Sequence, residues 1–284
     1  MKFDRDARRR IFNWVVTVLC LLCVVVALIP LLSIIYTAVV NGGRVLSIHF
    51  LIGQEGTGIP YNAAGGIGPA LYATIVVVAL SSLLSVPVGV LAGIYLSEYG
   101  KNPLGRGISF FTDVMTGAPS IVVGLFSYAV FLYFFRAIVF SAIDGACALA
   151  ILMIPVVTRA TEEGLRLVPN ALREGAYALG IPRYRAVLQI VLSTGRSIVI
   201  TGVVLAVMRA SGEVAPLLIA AGWSTHGFTG LYQPAGLLGV LIFLDSDQAA
   251  PGLVAAGWGG ALILIALLLG ISLTARIVLR KRFK

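Results

Sequence analysis

The sequence has few charged residues: Asp, Glu, Lys and Arg make up 12% of the 284 residues, whereas soluble globular proteins average about 25%. A soluble domain of this length needs more charges to cover its surface, so that class is excluded. Intrinsic disorder is excluded as well, because it requires low hydrophobicity and high charge. Apolar residues make up 59% of the chain, and this excess indicates a membrane protein.

Cysteine and histidine are also scarce. Three cysteines (Cys20, Cys23 and Cys147) lie within apolar runs, and the two histidines (His49 and His226) are isolated from each other in the sequence. An odd number of cysteines gives no disulfide framework. Cys20 and Cys23 have the spacing of a metal-ligating pair, but they lie within an apolar run with no second pair or histidine nearby. The sequence therefore predicts no bound metal.

A nucleotide-binding loop is lacking. The pair Gly100-Lys101 is followed by Asn102, whereas the phosphate-binding loop of ATPases needs Ser or Thr after the lysine. No Ser-His-Asp set is found, and the acidic pairs Glu162-Glu163 and Asp245/Asp247 are interpreted as solvated charges. We therefore predict a non-catalytic chain with no cofactor of its own, so that any ATP and Mg would be bound by partner ATPase subunits.

Long apolar stretches recur along the chain. A membrane-spanning helix needs about 20 apolar residues, and this requirement predicts an all-α integral membrane protein with six transmembrane helices. The predicted spans cover approximately residues 13–39, 70–96, 109–135, 138–158, 197–222 and 251–275.

The basic residues are distributed unevenly about these spans. Of the 21 Lys and Arg residues, 18 fall in the two termini and in the connections after spans 2 and 4, whereas only Arg44 and Arg136 fall on the other side. The positive-inside rule therefore places both termini in the cytoplasm of a multi-pass plasma membrane protein. The net charge of +9 is interpreted as cytoplasmic loops rather than as a nucleic-acid site.

Glycine and proline have regular places in the spans. Gly89 and Gly93 give span 2 a small-residue face suited to close helix packing. Spans 2 to 5 contain one proline each, and a proline removes a backbone donor and can kink a helix. These residues, Pro87, Pro119, Pro155 and Pro216, predict a bundle that flexes or encloses a cavity.

Span 5 carries the charged pair Arg209 and Glu213. An arginine at the centre of a spanning helix costs about 2.5–3.5 kcal/mol on insertion scales, so intramembrane charges usually serve a function. The guanidinium is suited to binding phosphate oxygens, and Glu213, four residues on, is predicted to lie on the same helical face. Gly212 and Pro216 flank the pair and predict a helix hinge. A buried pair that only locks helix packing is the alternative.

The connection between spans 4 and 5, residues 159–196, predicts short helices on the membrane surface. Gly180 suits the left-handed position after a helix, and Pro182 suits the start of the next. The helix near residues 170–179 has a face of small residues. Spacing alone leaves open whether this helix enters a groove on a protein partner or lies on lipid.

This connection resembles the EAA loop of ATP-binding-cassette importer permeases. The residues that define the motif occur here at the same spacing, with Gly175 in place of the first alanine and Ser193 in place of the final proline. The resemblance implies the type I (MetI-like) importer fold and a helix that docks on a cytoplasmic ATPase subunit. The implied coupling residues are Glu174, Gly175, Ala176, Gly180, Ile190 and Leu192.

Three further segments, residues 117–126, 155–166 and 209–218, are similar to phosphate-specific permeases of the PstA type, and the last is shared with the sister PstC type. The resemblance implies phosphate import into the bacterial cytoplasm by alternating access. Arg209, Glu213 and Arg159 are then the implied substrate pathway. The implied partners are a PstC-like second permease subunit in a heterodimer, two PstB-like ATPase subunits and an extracytoplasmic PstS-like phosphate-binding protein.

Other functions remain open at this point. Arg209 alone does not distinguish phosphate from another oxyanion such as sulfate or molybdate, and Arg159 is equally well interpreted as an interfacial anchor. An ion-coupled secondary transporter would carry more deep acidic residues or inverted repeats, and a non-transporting scaffold or sensor is the third alternative.

The chain is divided into residues 1–69 (N-terminus, first span and outer loop), 70–276 (the importer core with coupling loop 159–196) and 277–284 (a basic tail).

Overall fold

The structure, a computed structural model, describes residues 3–54 and 65–282. These residues are organised as α-helices with short connections, as predicted for an all-α membrane protein. A π-helical turn, Ala38–Gly42, continues α1, and a second, Ala186–Val191, joins α8 to α9. The helices are α1 (Phe3–Thr37), α2 (Ile48–Ile52), α3 (Gly68–Tyr99), α4 (Pro103–Gly117), α5 (Ser120–Phe134), α6 (Ala142–Arg166), α7 (Asn170–Ala178), α8 (Arg183–Arg185), α9 (Leu192–Ser211), α10 (Ala215–Ala220), α11 (Leu238–Ser246) and α12 (Pro251–Arg282).

Five helical stretches of the described residues are long and apolar enough to cross a membrane, or six if α4 and α5 form one bent span. The third predicted span was expected to be a single helix over residues 109–135. That expectation is wrong, because α4 and α5 meet at a bend of 109°. Ala118 and Pro119 are both extended at the bend. A residue before proline is disfavoured in the helical conformation, which explains the break.

The centre of the bundle is the contact between α3 and α6. A Cβ added to Gly89 would lie 2.7 Å from the Val157 Cβ, and one added to Gly93 would lie 2.5 Å from the Thr161 Cβ. Only glycine permits this approach of the two backbones, so the predicted small-residue packing face is confirmed. The core around it is rich in small and medium apolar side chains, including Ala73, Val77, Leu149, Met153 and Val157.

The outer spans differ from this packed centre. The apolar window of α1 is 0% buried, so α1 stands apart from the other helices. The connection between the fifth and sixth predicted spans, residues 223–250, contains α11, which packs on α12. Sequence reasoning missed α11 because nine residues are too few for a span. The predicted division at residue 276 falls inside α12, and the domain division stays a prediction.

The fourth and fifth spans also differ from their predicted limits. The fourth was predicted over residues 138–158, but α6 extends to Arg166. The fifth was predicted over residues 197–222, but α9 ends at Ser211 and Pro216 stands near the start of the separate helix α10. Proline lacks the backbone donor that a helix interior requires, whereas the first turn tolerates it.

Candidate functional site

Arg209 and Glu213 lie at the break between α9 and α10. The Arg209 Nε atom is 3.5 Å from Glu213 Oε1, and the Arg209 side chain is 72% exposed while that of Glu213 is 20% exposed. The pair is therefore loose, and most of the guanidinium faces away from the chain. Exposed ion pairs of this kind contribute little to folding.

The local backbone explains this placement. Gly212 terminates α9, and its N–H donates to the Arg209 carbonyl over 3.1 Å. Glu213 follows this cap, outside the helix, so the prediction that Arg209 and Glu213 share one helical face is wrong although the two side chains do meet. The break falls between Gly212 and Pro216, where the hinge was predicted, and motion at this hinge stays a prediction.

Pro216 is held in place by a neighbouring helix. A Cβ on Gly124 of α5 would lie 2.7 Å from the Pro216 Cα, so glycine is required for α5 to approach α10. Pro216 is buried in this contact. The charged break is therefore supported on one side by a tight backbone contact.

Arg159 lies in different surroundings, in the C-terminal part of α6. Its Nη1 donates to Glu162 Oε2 over 2.6 Å, and its Nη2 donates to Ser109 Oγ over 2.8 Å and to the Ser109 carbonyl over 3.1 Å. The same Nη2 forms an ion pair with Asp113 Oδ1. Because Ser109 and Asp113 belong to α4, Arg159 ties α4 to α6.

Glu162 completes this network. One of its carboxylate oxygens accepts from Arg159 and the other lies 2.6 Å from Arg166 Nη2, and its side chain is 3% exposed. The interpretation of Glu162 as a solvated charge is therefore wrong, because α6 continues past residue 158 and α4 covers it. The spacing Arg159-Glu162-Arg166, which places three charges on one helical face, was the sequence signal for this network.

The helix predicted for ATPase coupling is α7. Glu174 and Gly175 are exposed, whereas Ala176 is 3% exposed and faces the rest of the chain. A Cβ on Gly175 would meet nothing within 4 Å, so glycine in place of the motif's alanine is not required by packing within this chain. Exposed Leu172 and Tyr177 add apolar surface to α7.

The turn after α7 has the predicted geometry. Gly180 has φ +76°, in the left-handed region. Its N–H donates to the Tyr177 carbonyl over 2.9 Å, and the Ile181 N–H donates to the Ala176 carbonyl over 3.1 Å. This pair of bonds is the Schellman arrangement that terminates helices at glycine, so the prediction for Gly180 is confirmed.

The other motif anchors, Ile190 and Leu192, lie where the π-helical turn enters α9. Ile190 is half-buried. Leu192 packs against a buried cluster formed by Leu165, Val168, Val191 and Val199. These contacts join the start of α9 to the end of α6, so α7 is attached at both ends to the membrane bundle.

Sequence reasoning missed the side chain that holds α7 in place. Arg173 donates from Nη2 to Glu98 Oε1 over 2.8 Å and to the Leu165 carbonyl over 2.9 Å, and from Nη1 to the Val168 carbonyl over 2.6 Å. The Arg173 and Glu98 side chains are 13% and 4% exposed. The two residues are 75 positions apart, so no local pattern joins them.

The chemistry available at Arg209 is that of anion binding. Arg209 has guanidinium N–H groups that no side chain other than Glu213 approaches in the described residues, and such donors suit an oxyanion. Among residues 3–54 and 65–282, no group of three His, Cys, Asp or Glu side chains is placed to hold a metal ion.

Comparison with known families gives one match that covers most of the chain. The family described as "Binding-protein-dependent transport system inner membrane component" matches residues 85–284. The match includes α4 to α10, which hold both arginine sites and α7. The whole candidate site is therefore within the matched region.

Curated relatives cover nearly the full length. A "Phosphate transport system permease protein PstA 1" of Mycobacterium tuberculosis (strain ATCC 25618 / H37Rv) is 36% identical over 95% of this chain and 88% of its own. Proteins named "Phosphate transport system permease protein PstA" are 35% identical in Yersinia pestis, over 98% of this chain and 93% of the relative, and in Haemophilus influenzae (strain ATCC 51907 / DSM 11121 / KW20 / Rd), over 98% of both chains.

Solved structures share the fold. A chain from "Inward facing conformations of the MetNI methionine ABC transporter" superposes with a TM-score of 0.61 at 15% identity, over 76% of this chain and 95% of the other. A chain from an "amino acid ABC transporter with histidines" gives a TM-score of 0.53 at 19% identity, over 75% and 92%. These similarities establish the importer fold predicted from the sequence.

Proposed function

Because this chain belongs to the binding-protein-dependent transport system inner membrane components, and within them to the PstA phosphate permeases, we propose that it is the phosphate-conducting membrane subunit of an ATP-driven importer. The chain is a non-catalytic membrane component in this scheme. Inorganic phosphate crosses the plasma membrane into the cytoplasm as the bundle alternates between outward and inward openings.

The observation that supports an anionic substrate is the state of Arg209. Its side chain is 72% exposed, and it is held by a single 3.5 Å contact to Glu213. Phosphate oxygens can accept hydrogen bonds from the guanidinium fork without first displacing a tight ion pair. Glu213 orients the guanidinium when phosphate is absent and competes with phosphate when it is bound.

Arg159 has a second role in this proposal, as part of a cytoplasmic gate. In this structure, the guanidinium N–H groups of Arg159 bind Asp113, Glu162 and Ser109. Phosphate reaches Arg159 only if α4 moves away from α6 and releases Asp113. The ion pair between Arg159 and Asp113 therefore opposes opening of the inner end until the ATPase motion separates the two helices.

That motion enters through α7. The exposed Glu174 and the apolar Leu172 and Tyr177 offer a surface for a cytoplasmic ATPase subunit. Arg173 links the same helix to Glu98 at the end of α3. A displacement of α7 is therefore transmitted to α3, and through the glycine contacts of α3 to α6.

The complete importer requires partner subunits. We infer a PstC-like second permease, two PstB-like ATPase subunits that bind ATP and Mg, and a PstS-like phosphate-binding protein outside the membrane. The unburied apolar surface of α1 supports assembly with a second membrane subunit. The distribution of 18 of the 21 basic residues on one side supports cytoplasmic termini in the bacterial inner membrane.

The test measures the uptake of radiolabelled phosphate and of radiolabelled sulfate by cells in which this chain is the only PstA-type permease subunit. Arg209→Gln is expected to abolish phosphate uptake while the complex assembles in normal amounts. Arg136→Gln is the matched control, since Arg136 is also exposed but lies outside the proposed pathway. Unchanged phosphate uptake in Arg209→Gln contradicts the pathway, and uptake of sulfate in place of phosphate contradicts the substrate.

Coupling has its own test. Glu174→Gln is expected to lower ATP-dependent uptake and ATPase stimulation, whereas Glu163→Gln, which changes another exposed carboxylate of the same connection, leaves both unchanged. Normal coupling in the Glu174 variant would show that α7 does not engage the ATPase through this residue.

A further inference from the structure

A cavity separate from the proposed Arg209 pathway lies where the end of α3 meets α6, α7 and α8. Its volume is about 690 Å³, within the range of roughly 300–1,000 Å³ that is typical of small-molecule sites. It is lined by residues 96–102, together with Asn170 and three arginines. Its walls therefore belong partly to the membrane bundle and partly to the coupling segment.

The lining of this cavity is strongly basic. Lys101, Arg166, Arg173 and Arg183 contribute four positive charges, and Glu98 is the one carboxylate among the described lining residues. Glu98 already forms an ion pair with Arg173, in which Glu98 Oε1 lies 2.8 Å from Arg173 Nη2. Three positive charges thus remain without a carboxylate in the cavity lining, although Arg166 also pairs with Glu162 behind it.

Several donors of the cavity are unused. Lys101 makes no hydrogen bond or ion pair within the described residues, and Arg166 binds Glu162 through Nη2 while 62% of its side chain remains exposed. The Ser97 Oγ atom is buried within the chain, so the donors that a ligand in the cavity can reach are those of the lysine and the arginines.

Two other side chains hold the cavity in shape. Arg183 donates to the Glu98 carbonyl, and its guanidinium carbon lies 4.3 Å from the centre of the Tyr99 ring. Arg173 is fixed by Glu98 and by two backbone carbonyls. The site is therefore preorganised by Arg173 and Arg183, while Lys101 and the donors of Arg166 that do not bind Glu162 can bind a ligand.

We propose that this cavity binds a phosphoryl group from the cytoplasmic side, either as free inorganic phosphate or as the headgroup of an anionic lipid. Phosphoryl oxygens accept from ammonium and guanidinium donors together, and both kinds of donor are present in this lining. The assignment of this face to the cytoplasm rests on the proposed function. The site differs from the transport pathway, because none of its lining residues is Arg209, Glu213 or Arg159.

Binding at this position has a mechanical consequence. The ligand contacts the turn after α3 through Lys101 and α6 through Arg166, in a cavity bounded by α7 and α8. A ligand that binds one arrangement of these helices stabilises that arrangement relative to others. Occupancy therefore slows the displacement of α7 that accompanies ATP hydrolysis, so a cytoplasmic phosphoryl ligand acts as a brake on the importer.

The direct test is equilibrium binding of ³³P-labelled inorganic phosphate without ATP. The chain is used in complex with its co-expressed partner subunits, in nanodiscs of phosphatidylcholine, and every sample carries Arg209→Gln to remove binding in the pathway. Adding Lys101→Gln and Arg166→Gln together is expected to weaken binding by at least about tenfold, which is the effect expected from the loss of one charge-assisted hydrogen bond. Arg10→Gln, which removes a positive charge elsewhere on the same side, is expected to leave binding unchanged.

A second arm identifies the source of the phosphoryl group. Nanodiscs containing phosphatidylglycerol are compared with phosphatidylcholine nanodiscs, and ATPase activity without Arg209→Gln is measured by ADP release. If the headgroup is the occupant, phosphatidylglycerol blocks phosphate binding and slows the ATPase, and the double variant abolishes both effects. If free phosphate is the occupant, added phosphate slows the ATPase and phosphatidylglycerol has no effect.

The proposal is overturned if phosphate fails to bind in phosphatidylcholine and phosphatidylglycerol affects the parent and the double variant equally. Binding that is identical in the parent and the double variant overturns it as well. Thermal unfolding midpoints of the variants check that the complex is intact. Binding is measured without transport and in the Arg209→Gln background. The result therefore tests this cavity independently of whether phosphate is the transported substrate.

Discussion

Arg159 and Arg209 are the two arginines of the proposed pathway, and their surroundings are opposite. Arg159 is 26% exposed and bonded to Asp113, Glu162 and Ser109. Arg209 is 72% exposed and has one 3.5 Å contact. The charge of the first is balanced within the chain, whereas the second retains donors for a ligand. The same residue type thus serves as a cross-link between helices in one place and as a binding group in the other.

The backbone that carries each arginine also differs between the two sites. Arg159 lies inside the continuous helix α6, with α4 packed across it. Arg209 lies in the last turn of α9, next to a break. A continuous helix fixes its side chains, whereas a helix end allows a side chain to be re-aimed. The comparison predicts that stability depends mainly on the Arg159 network and that substrate binding depends mainly on the Arg209 pair.

Glu162→Gln is expected to give the largest loss of stability. It leaves Arg159 and Arg166 without their shared buried carboxylate, and breaking a buried pair costs about 3–5 kcal/mol. The thermal unfolding midpoint of the detergent-purified complex measures this loss. Glu163→Gln is the neighbouring control, because Glu163 is exposed. Equal midpoints for the two variants would show that the network does not support the fold.

Arg173→Met is expected to have the next largest effect. The variant loses charge-assisted hydrogen bonds, each worth about 1.5–3 kcal/mol, and frees α7 from Glu98. ATPase activity should then continue without stimulating phosphate uptake, and the ratio of the two rates is the measurement. Arg185→Met changes an exposed arginine nearby and should preserve the ratio. If the ratio of ATPase activity to phosphate uptake is unchanged in both variants, α3 does not take part in coupling.

Gly124→Ala tests the support of the charged break. The added Cβ would lie 2.7 Å from the Pro216 Cα, and overpacking of this kind costs about 1–3 kcal/mol. A lower midpoint with reduced phosphate uptake is expected. Gly117→Ala is matched, since nothing lies within 4 Å of its added Cβ, and it should keep both values. If Gly124→Ala behaves like Gly117→Ala, the approach of α5 to α10 is not needed.

Glu213→Gln should have the smallest effect on stability, below about 1 kcal/mol, because the ion pair is long and largely exposed. Its effect on phosphate affinity should be larger than its effect on the midpoint, since Glu213 competes with the substrate for Arg209. Uptake measured over a range of phosphate concentrations separates affinity from maximal rate. A shift in the midpoint as large as that of Glu162→Gln would remove the contrast between the two sites.

Patterns within short stretches of sequence established much of this protein. The apolar runs predicted the membrane class and most of the spans, the glycines of α3 predicted its close packing on α6, and Gly180 predicted the turn after α7. The EAA spacing predicted the importer fold. The first three predictions depend on helical periodicity, on the length needed to cross a membrane or on the conformational freedom of glycine, all of which are local properties. The fourth depends on the resemblance to a family motif.

Tertiary structure alone decided which charges meet. Arg159 and Asp113 are 46 positions apart, and Arg173 and Glu98 are 75 positions apart, so their pairing follows from how α4 and α7 pack on the bundle. The exposure of Arg209 and the burial of Glu162 were decided in the same way. A charge is buried or free according to the helices that cover it, and that covering depends on contacts between segments that are distant in the sequence.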